Sequence, residues 1–125
     1  MRHALHILDD GSIVCQGDIL EGTEVHLMIS NKEFCQQATK EAVDEAKNAL
    51  GGRQPKLIIV FESLWRQQLL GRSIIQEIQT MRDVLGPTVP VIGMYSFWEV
   101  APMKPLNVTG EVHFNSGAVI VLAIA

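Results

Sequence analysis

The chain has 125 residues, which suits a single domain spanning residues 1–125 with a sizeable core. Its formal net charge is −4 and its ten Lys and Arg residues are scattered, which argues against a nucleic-acid-binding protein. The two cysteines form neither a disulfide framework nor a CxxC metal pair. No apolar run is long enough to span a bilayer and no signal peptide precedes the domain, so we expect a cytoplasmic location without membrane contact.

The first 30 residues contain three strand patterns separated by turns. Residues 4–8 and 13–17 flank a turn with the sequence DDGS, and residues 24–29 alternate polar and apolar side chains. Ser30 or Asn31 then caps a first helix, which Gly51 and Gly52 end. Its predicted apolar stripe repeats every four residues and has two flanking members: Phe34, Ala38, Ala42, Ala46 and Leu50, with Cys35 and Val43 beside them.

The rest of the chain combines apolar strand patterns with one long helix. Residues 57–61 form a continuous apolar run typical of a strand covered on both faces. A helix over residues 64–85 follows, and Gly86 and Pro87 end it. Three further strands are predicted at residues 89–95, 112–114 and 118–124. A Pro-rich loop at 101–105 separates the first two, and a bend at 115–117 separates the last two.

We expect the order ββαβαββ, which counts two of the three strand patterns before the first helix and two of the three after the second, and which predicts the α/β class. More narrowly, we expect an α+β two-layer sandwich, with a mixed β-sheet and both helices on one face. The strand–helix–strand crossover makes the strands ending near residues 61 and 95 parallel neighbours.

Polar and aromatic side chains follow these two strands, at the sheet edge where ligands of open α/β sheets bind. Ser63, Arg66 and Glu99 are expected to meet there, with Tyr95 and Trp98 lining the site. The guanidinium of Arg66 could hold an anionic group, and the carboxylate of Glu99 could hold a cationic one.

Each candidate also has a structural interpretation. Ser63 suits a helix N-cap, and Arg66 could instead pair with Glu62, with Glu99 or with a backbone carbonyl. Asn115, a further candidate ligand contact, also suits a turn. The four His residues lack zinc-site spacing and no glycine motif fits a nucleotide, so we predict no metal, no cofactor and no catalytic residue.

Three blocks of the sequence resemble the C-terminal domain of the FIST family, named for F-box and intracellular signal transduction proteins. The first, at 10–28, is the glycine-punctuated DGSIVCQGDILEGTEVHLM. The second, VFESLWR at 60–66 followed by Leu70 and Gly71, is similar to the family's Phe-Ser-Cys-x-x-Arg block. The third, PVIGMYSFWEVAP at 90–102 with HFNS at 113–116, is similar to its Gly-Phe-Tyr-x-x-Gly-Glu-Ile-x-Pro and Phe-x-Asn blocks.

Two positions depart from that pattern. Ser63 stands where the family usually has Cys, and Trp98 stands where it usually has the Gly before Glu. A Trp at this position adds a large side chain near the expected site, although Trp is also a common core or interface anchor.

The resemblance implies a sensory domain that binds a small molecule, such as an amino acid or a derivative, and passes its state to a signalling protein or to an N-terminal FIST domain. Two alternatives stay open. One is a protein-interaction or homo-oligomerisation module without a ligand, in which residues 118–124 add to a neighbour's sheet. The other is a small imine or enamine hydrolase with an intersubunit site formed by Arg66, Arg72 and Glu99, by analogy of fold alone.

Overall fold

A computed structural model describes residues 1–102 and 112–125 of the chain. The elements, in chain order, are β1 (Ala4–Ile7), β2 (Ile13–Cys15), α1 (Lys32–Ala49), β3 (Leu57–Ser63), α2 (Leu64–Leu70), a 3₁₀ turn (Gly71–Ser73), α3 (Ile74–Leu85), β4 (Val91–Ser96), β5 (Glu99–Pro102), β6 (Val112–Asn115) and β7 (Val119–Ile124). None of the described helices is long and apolar enough to cross a membrane.

The central sheet has three strands in the order β4-β3-β7, and it is mixed, as predicted. β3 runs parallel to β4 and antiparallel to β7. The register pairs Glu62 with Tyr95 and Ser63 with Ser96, so the two parallel strands end side by side as the crossover requires. Outside this sheet, β1 pairs with β2 and β5 pairs with β6 as two separate antiparallel ribbons.

The helices α1 and α3 pack on one face of this sheet, which confirms the predicted two-layer arrangement. We call the helix-covered side the inner face. Its core combines Val43 of α1, Ile58 and Val60 of β3, and Met81 and Leu85 of α3. Because side chains alternate along a strand, the next inward residue of β3 after Ile58 and Val60 is Glu62.

The other side, the outer face, has no helix over it among the described residues. Its side chains are apolar on all three strands, but they are half-buried or exposed: Leu57, Ile59, Phe61, Ile92, Met94, Ile120, Leu122 and Ile124. Within the described residues β3 is therefore covered by helices on one face and half-buried on the other, whereas its apolar run predicts a strand covered on both faces or nearly so. A continuous apolar run occurs both in strands that are covered on one face and in strands that are covered on both, so the run alone does not distinguish them.

The first helix begins as predicted but buries a different stripe. Asn31 is its N-cap, and the Asn31 Oδ1 accepts a hydrogen bond from the Phe34 N–H at 2.8 Å. The buried side chains are Cys35, Thr39 and Val43, whereas Phe34 is 57% exposed. The predicted stripe lies one residue away from the buried one, because small Ala side chains carry little information about which side of the helix faces the sheet.

The predicted helix over residues 64–85 is interrupted. Gly71 has a φ of +53°, and the 3₁₀ turn Gly71–Ser73 separates α2 from α3. A positive φ is uncommon for any residue with a Cβ, so a glycine at this point allows the break. The sequence predicts a buried stripe of Leu70, Ile74, Ile78, Met81 and Leu85 on this helix; Leu70, Met81 and Leu85 are buried, whereas Ile78 is 53% exposed.

Two strand predictions also need correction. Residues 24–29 form no strand and their apolar side chains are exposed, because an alternating pattern forms a strand only where a partner edge is available. Conversely, Ala101 and Pro102, placed in a loop by their proline content, belong to β5. Residues 103–105 of that predicted loop lie outside the described residues.

Candidate functional site

A buried cluster of charged residues lies at the carboxyl end of β3, on the inner face. Arg66 of α2 is 5% exposed, and its Nε donates to the Glu62 Oε1 at 3.2 Å. Its Nη2 donates to the Thr39 Oγ1 at 2.8 Å and to the Cys35 carbonyl at 3.1 Å, and it forms an ion pair with the Glu77 Oε1. The guanidinium therefore joins β3, α1 and α3.

This cluster contains two carboxyl groups but one guanidinium. Glu77 is fully buried, and its Oε2 has no hydrogen-bond donor among the described residues. Burial, followed by the neighbouring Glu77 carboxyl, raises the pKa of Glu62 to about 8, and the Arg66 guanidinium offsets only part of this rise. At neutral pH Glu62 therefore keeps its proton, and the two carboxyl groups share a single guanidinium.

A cavity of about 250 Å³, which we call the inner cavity, opens between α3 and β4 beside this carboxyl pair. Its apolar lining includes Val60 of β3, Ile74, Ile78 and Met81 of α3, and Val91 of β4. Gly93 also lines it, and Gly93 faces inward between Val91 and Tyr95. A Cβ at this position would lie 3.1 Å from the Val60 carbonyl oxygen, so a glycine suits the close approach of β4 to β3 at this point.

The polar groups of the inner cavity lie at its two ends. Glu62, Glu77 and Tyr95 lie at the end near the strand termini, and burial, with the charges of Glu62 and Glu77, raises the pKa of the Tyr95 phenol. Arg82 lies towards the start of β4, where its Nη1 donates to the Val89 carbonyl at 2.5 Å. A small molecule with an apolar body and one polar head fits this distribution.

A second concavity lies on the outer face. We call it the outer groove; it is open, has a volume of about 450 Å³, and is lined by Phe61, Ile120, Trp98 and Glu99 among others. Glu99 is 3% exposed; its Oε1 accepts from the Ser96 hydroxyl at 2.9 Å and its Oε2 has no donor among the described residues. Trp98 is 58% exposed, with its ring centroid 6.3 Å from that of Phe114.

The structure separates the residues that the sequence predicts to converge. Arg66 and Tyr95 lie on the inner face, whereas Trp98 and Glu99 line the outer groove. Arg66 has its guanidinium engaged by Glu62 and Glu77, which is the structural pairing that the sequence left open. No ion pair joins Arg66 to Glu99 within residues 1–102 and 112–125.

The two remaining candidates make structural contacts. Ser63 is buried at the N-cap position of α2 but makes no capping bond; its Oγ accepts instead from the Gly117 N–H at 2.9 Å. Asn115 is also buried; its Oδ1 accepts from the Met1 ammonium at 3.1 Å, and its Nδ2 donates to the His113 carbonyl at 3.0 Å. Both residues hold the chain near the bend that precedes β7.

Sequence reasoning missed Glu77, although a signal was present. Leu70, Ile74, Glu77 and Met81 follow the spacing of one helix face, so a carboxylate occupies a position where the pattern requires an apolar side chain. Glu62 likewise continues the inward alternation of Ile58 and Val60. Charged residues at two core positions indicate a buried polar site, because a buried charge requires a partner.

Comparison with known proteins adds one match. A protein-family model described as the FIST C domain matches residues 1–102 of the 125. No curated protein and no solved structure matches the chain.

Proposed function

Because the chain belongs to the FIST C domain family, which is associated with signal transduction, we propose that it is a sensory domain whose small-molecule ligand binds in the inner cavity. The observation that supports this proposal is a cavity with apolar walls that ends in two buried carboxyl groups sharing one guanidinium. A pocket with a few convergent polar groups and a strongly shifted pKa is the usual setting of a binding site.

The position of the cavity suits a sensor. A ligand there would contact β3, α3 and β4, and Arg66 would carry a change at the carboxyl pair to α1 through Thr39 and the Cys35 carbonyl. A signalling partner, or an N-terminal FIST domain, would then respond to the altered helices. The amino-acid-like ligand implied by the family resemblance would place its amino group, rather than its carboxylate, at the charged end.

Thermal shift measurements with a panel of amino acids, amines, carboxylates and neutral alcohols at millimolar concentration test this proposal. A ligand present at 100 times its Kd should stabilise the fold by about 2.7 kcal/mol, which raises the melting temperature by several degrees. Ile78→Trp should abolish this shift by filling the cavity from α3. Ile75→Trp, on the same helix but outside the cavity lining and 72% exposed, should preserve it.

The proposal fails if no member of the panel stabilises the protein. It fails equally if Ile78→Trp and Ile75→Trp reduce the shift to the same extent, because the ligand would then bind elsewhere.

The outer face supports a second candidate function, which is self-association. Three strands of about six residues present a flat apolar area of roughly 300 Å², whereas a standard interface buries roughly 800 Å² on each partner. We therefore propose a weak dimer between two copies of this chain through their outer faces. Its area would be extended by the neighbouring Trp98 and Val100, which are exposed.

Sedimentation velocity over a wide concentration range tests this candidate. We expect concentration-dependent dimerisation that Leu122→Lys abolishes, since Leu122 lies on the outer face and is 50% exposed. Ile75→Lys, on the opposite layer of the molecule, should have no effect. A strictly monomeric protein at millimolar concentration would remove this candidate.

A further inference from the structure

The charge distribution in the inner cavity indicates the chemical class of its ligand. Resting on the function proposed above, we infer that the ligand carries a cationic amine on an apolar body, and that its ammonium group binds at the carboxyl pair formed by Glu62 and Glu77.

The first argument is the balance of charge within the cluster. Glu62 and Glu77 would carry two negative charges when both are ionised, but Arg66 supplies one positive charge. A buried site of this kind must take up either a proton or another cation. Glu77 lines the cavity where such a cation would arrive, and its Oε2 is buried and lacks a donor among the described residues.

The second argument is the set of groups that face the carboxyl pair from each packed element. α2 supplies Arg66, which is already paired; α1 supplies the hydroxyl of Thr39 and the carbonyl of Cys35; and β4 supplies the phenol of Tyr95. α3 supplies Glu77 itself and, at the far end of the cavity, Arg82. None of these groups offers an unpaired positive charge next to the carboxyl pair, so an anionic ligand head is disfavoured there.

The remainder of the cavity selects the body of the ligand. The lining between the carboxyl pair and Arg82 is aliphatic, from Val60, Ile74, Ile78 and Met81, so this part of the cavity offers no partner for a second charge. The volume of about 250 Å³ is close to the roughly 300 Å³ lower limit of typical ligand pockets. Small alkyl or arylalkyl amines match both properties.

Proton release then balances the reaction. Neutral Glu62 loses its carboxylic proton to the solvent, and the resulting carboxylate pairs with the ammonium, so one proton is released for each amine bound. Because burial and Glu77 raise the pKa of Glu62 to about 8, this exchange takes place at neutral pH. An alkyl amine with a pKa of about 10 stays protonated over the same range.

Calorimetry with phenethylamine tests the inference, using 2-phenylethanol and 3-phenylpropionate as the neutral and anionic counterparts. Titrations at one pH in buffers with different ionisation enthalpies give the number of protons released. We expect about one proton per amine at pH 6 to 7 and none above about pH 9, with roughly tenfold tighter binding at pH 7 than at pH 6. The alcohol and the carboxylate should bind much more weakly.

Glu62→Gln should abolish proton release and weaken amine binding at least tenfold, whereas Glu41→Gln, an exposed residue of α1, should change neither. If Glu62→Gln does not fold, the proton count and the pH dependence of the unmodified protein still decide the question.

Three outcomes separate this inference from the proposed function. Amine binding without proton release overturns the inference but leaves a sensory cavity in place. Preferential binding of the alcohol or the carboxylate, blocked by Ile78→Trp, does the same. Failure of all three probes and of the wider panel to bind overturns the proposed function, and the inference with it.

Discussion

The inner and outer faces of the β4-β3-β7 sheet each bury a carboxylate with an oxygen that has no hydrogen-bond donor among the described residues, but the two carboxylates have different partners. On the inner face Glu77 pairs with Arg66, and the same guanidinium also pairs with Glu62. On the outer face Glu99 accepts one hydrogen bond from Ser96, and no cation pairs with it among the described residues. The comparison teaches that burial of a carboxylate does not by itself identify a site; the balance of charge around it does.

The largest effect is expected from removing the guanidinium of the inner cluster. Arg66→Met leaves two buried carboxyl groups without a cation, which should lower the free energy of unfolding by about 3–5 kcal/mol at pH 7. Urea denaturation at pH 7 measures this loss. Arg72→Met, an exposed residue of the 3₁₀ turn, serves as the matched control and should stay within about 0.5 kcal/mol.

The two buried carboxylates should respond unequally to the same substitution. Glu77→Gln removes the charge that pairs with Arg66, and we expect a loss of about 2–3 kcal/mol. Glu99→Gln keeps an acceptor for the Ser96 hydroxyl and breaks no ion pair with the described residues, so its effect should be below about 1 kcal/mol. Equal losses in urea denaturation would show that the two faces hold their carboxylates in the same way.

A third effect concerns pH. Glu62 has a pKa of about 8 in the folded protein and an ordinary value of 4.5, so the folded state binds the extra proton between these values. The stability that this proton confers is fully present below pH 4.5 and is lost as the pH rises towards 8. After allowance for screening by solvent we expect a decline of roughly 1–2 kcal/mol across this window.

Glu62→Gln should flatten that decline, because the amide does not titrate. Denaturation midpoints at pH 5, 6.5 and 8.5 compare the two proteins, and Glu41→Gln should retain the slope of the unmodified chain. A parallel decline in Glu62→Gln would assign the pH dependence to another group.

The smallest effect should come from the outer face. Trp98 is more than half exposed, and its ring plane is tilted relative to those of Phe97 and Phe114, with ring centroids 6.4 Å and 6.3 Å apart. Trp98→Ala should therefore cost less than about 1 kcal/mol while it opens the outer groove. Thermal unfolding measures the cost, and a loss above about 2 kcal/mol would indicate that this face is packed in solution.

Much of the framework could be predicted from the sequence because its signals are local. The Asn31 cap, the parallel strands of the crossover and the bend before β7 each depend on a few neighbouring residues. The break at Gly71 was less accessible, since a single glycine is also tolerated within a helix. The missing strand at 24–29 depends on which edges are free, and this is decided by the whole fold.

The site was only partly predictable, for a different reason. The sequence correctly places the ends of β3 and β4 together, but it does not reveal on which side of the sheet each side chain after those ends will lie. Arg66 turns inward with α2, whereas Glu99 follows a turn after Ser96 and belongs to another ribbon. The periodicity of the strand identifies Glu62 as a charged residue at a core position, and the periodicity of the helix identifies Glu77 in the same way.

One consequence follows from the glycine at position 93. Gly93 lines the inner cavity and faces inward, so a larger side chain there would take up part of its volume without touching the charged cluster. Under the proposed function, related chains that differ at this position would share the same architecture and differ in the ligand that they accept.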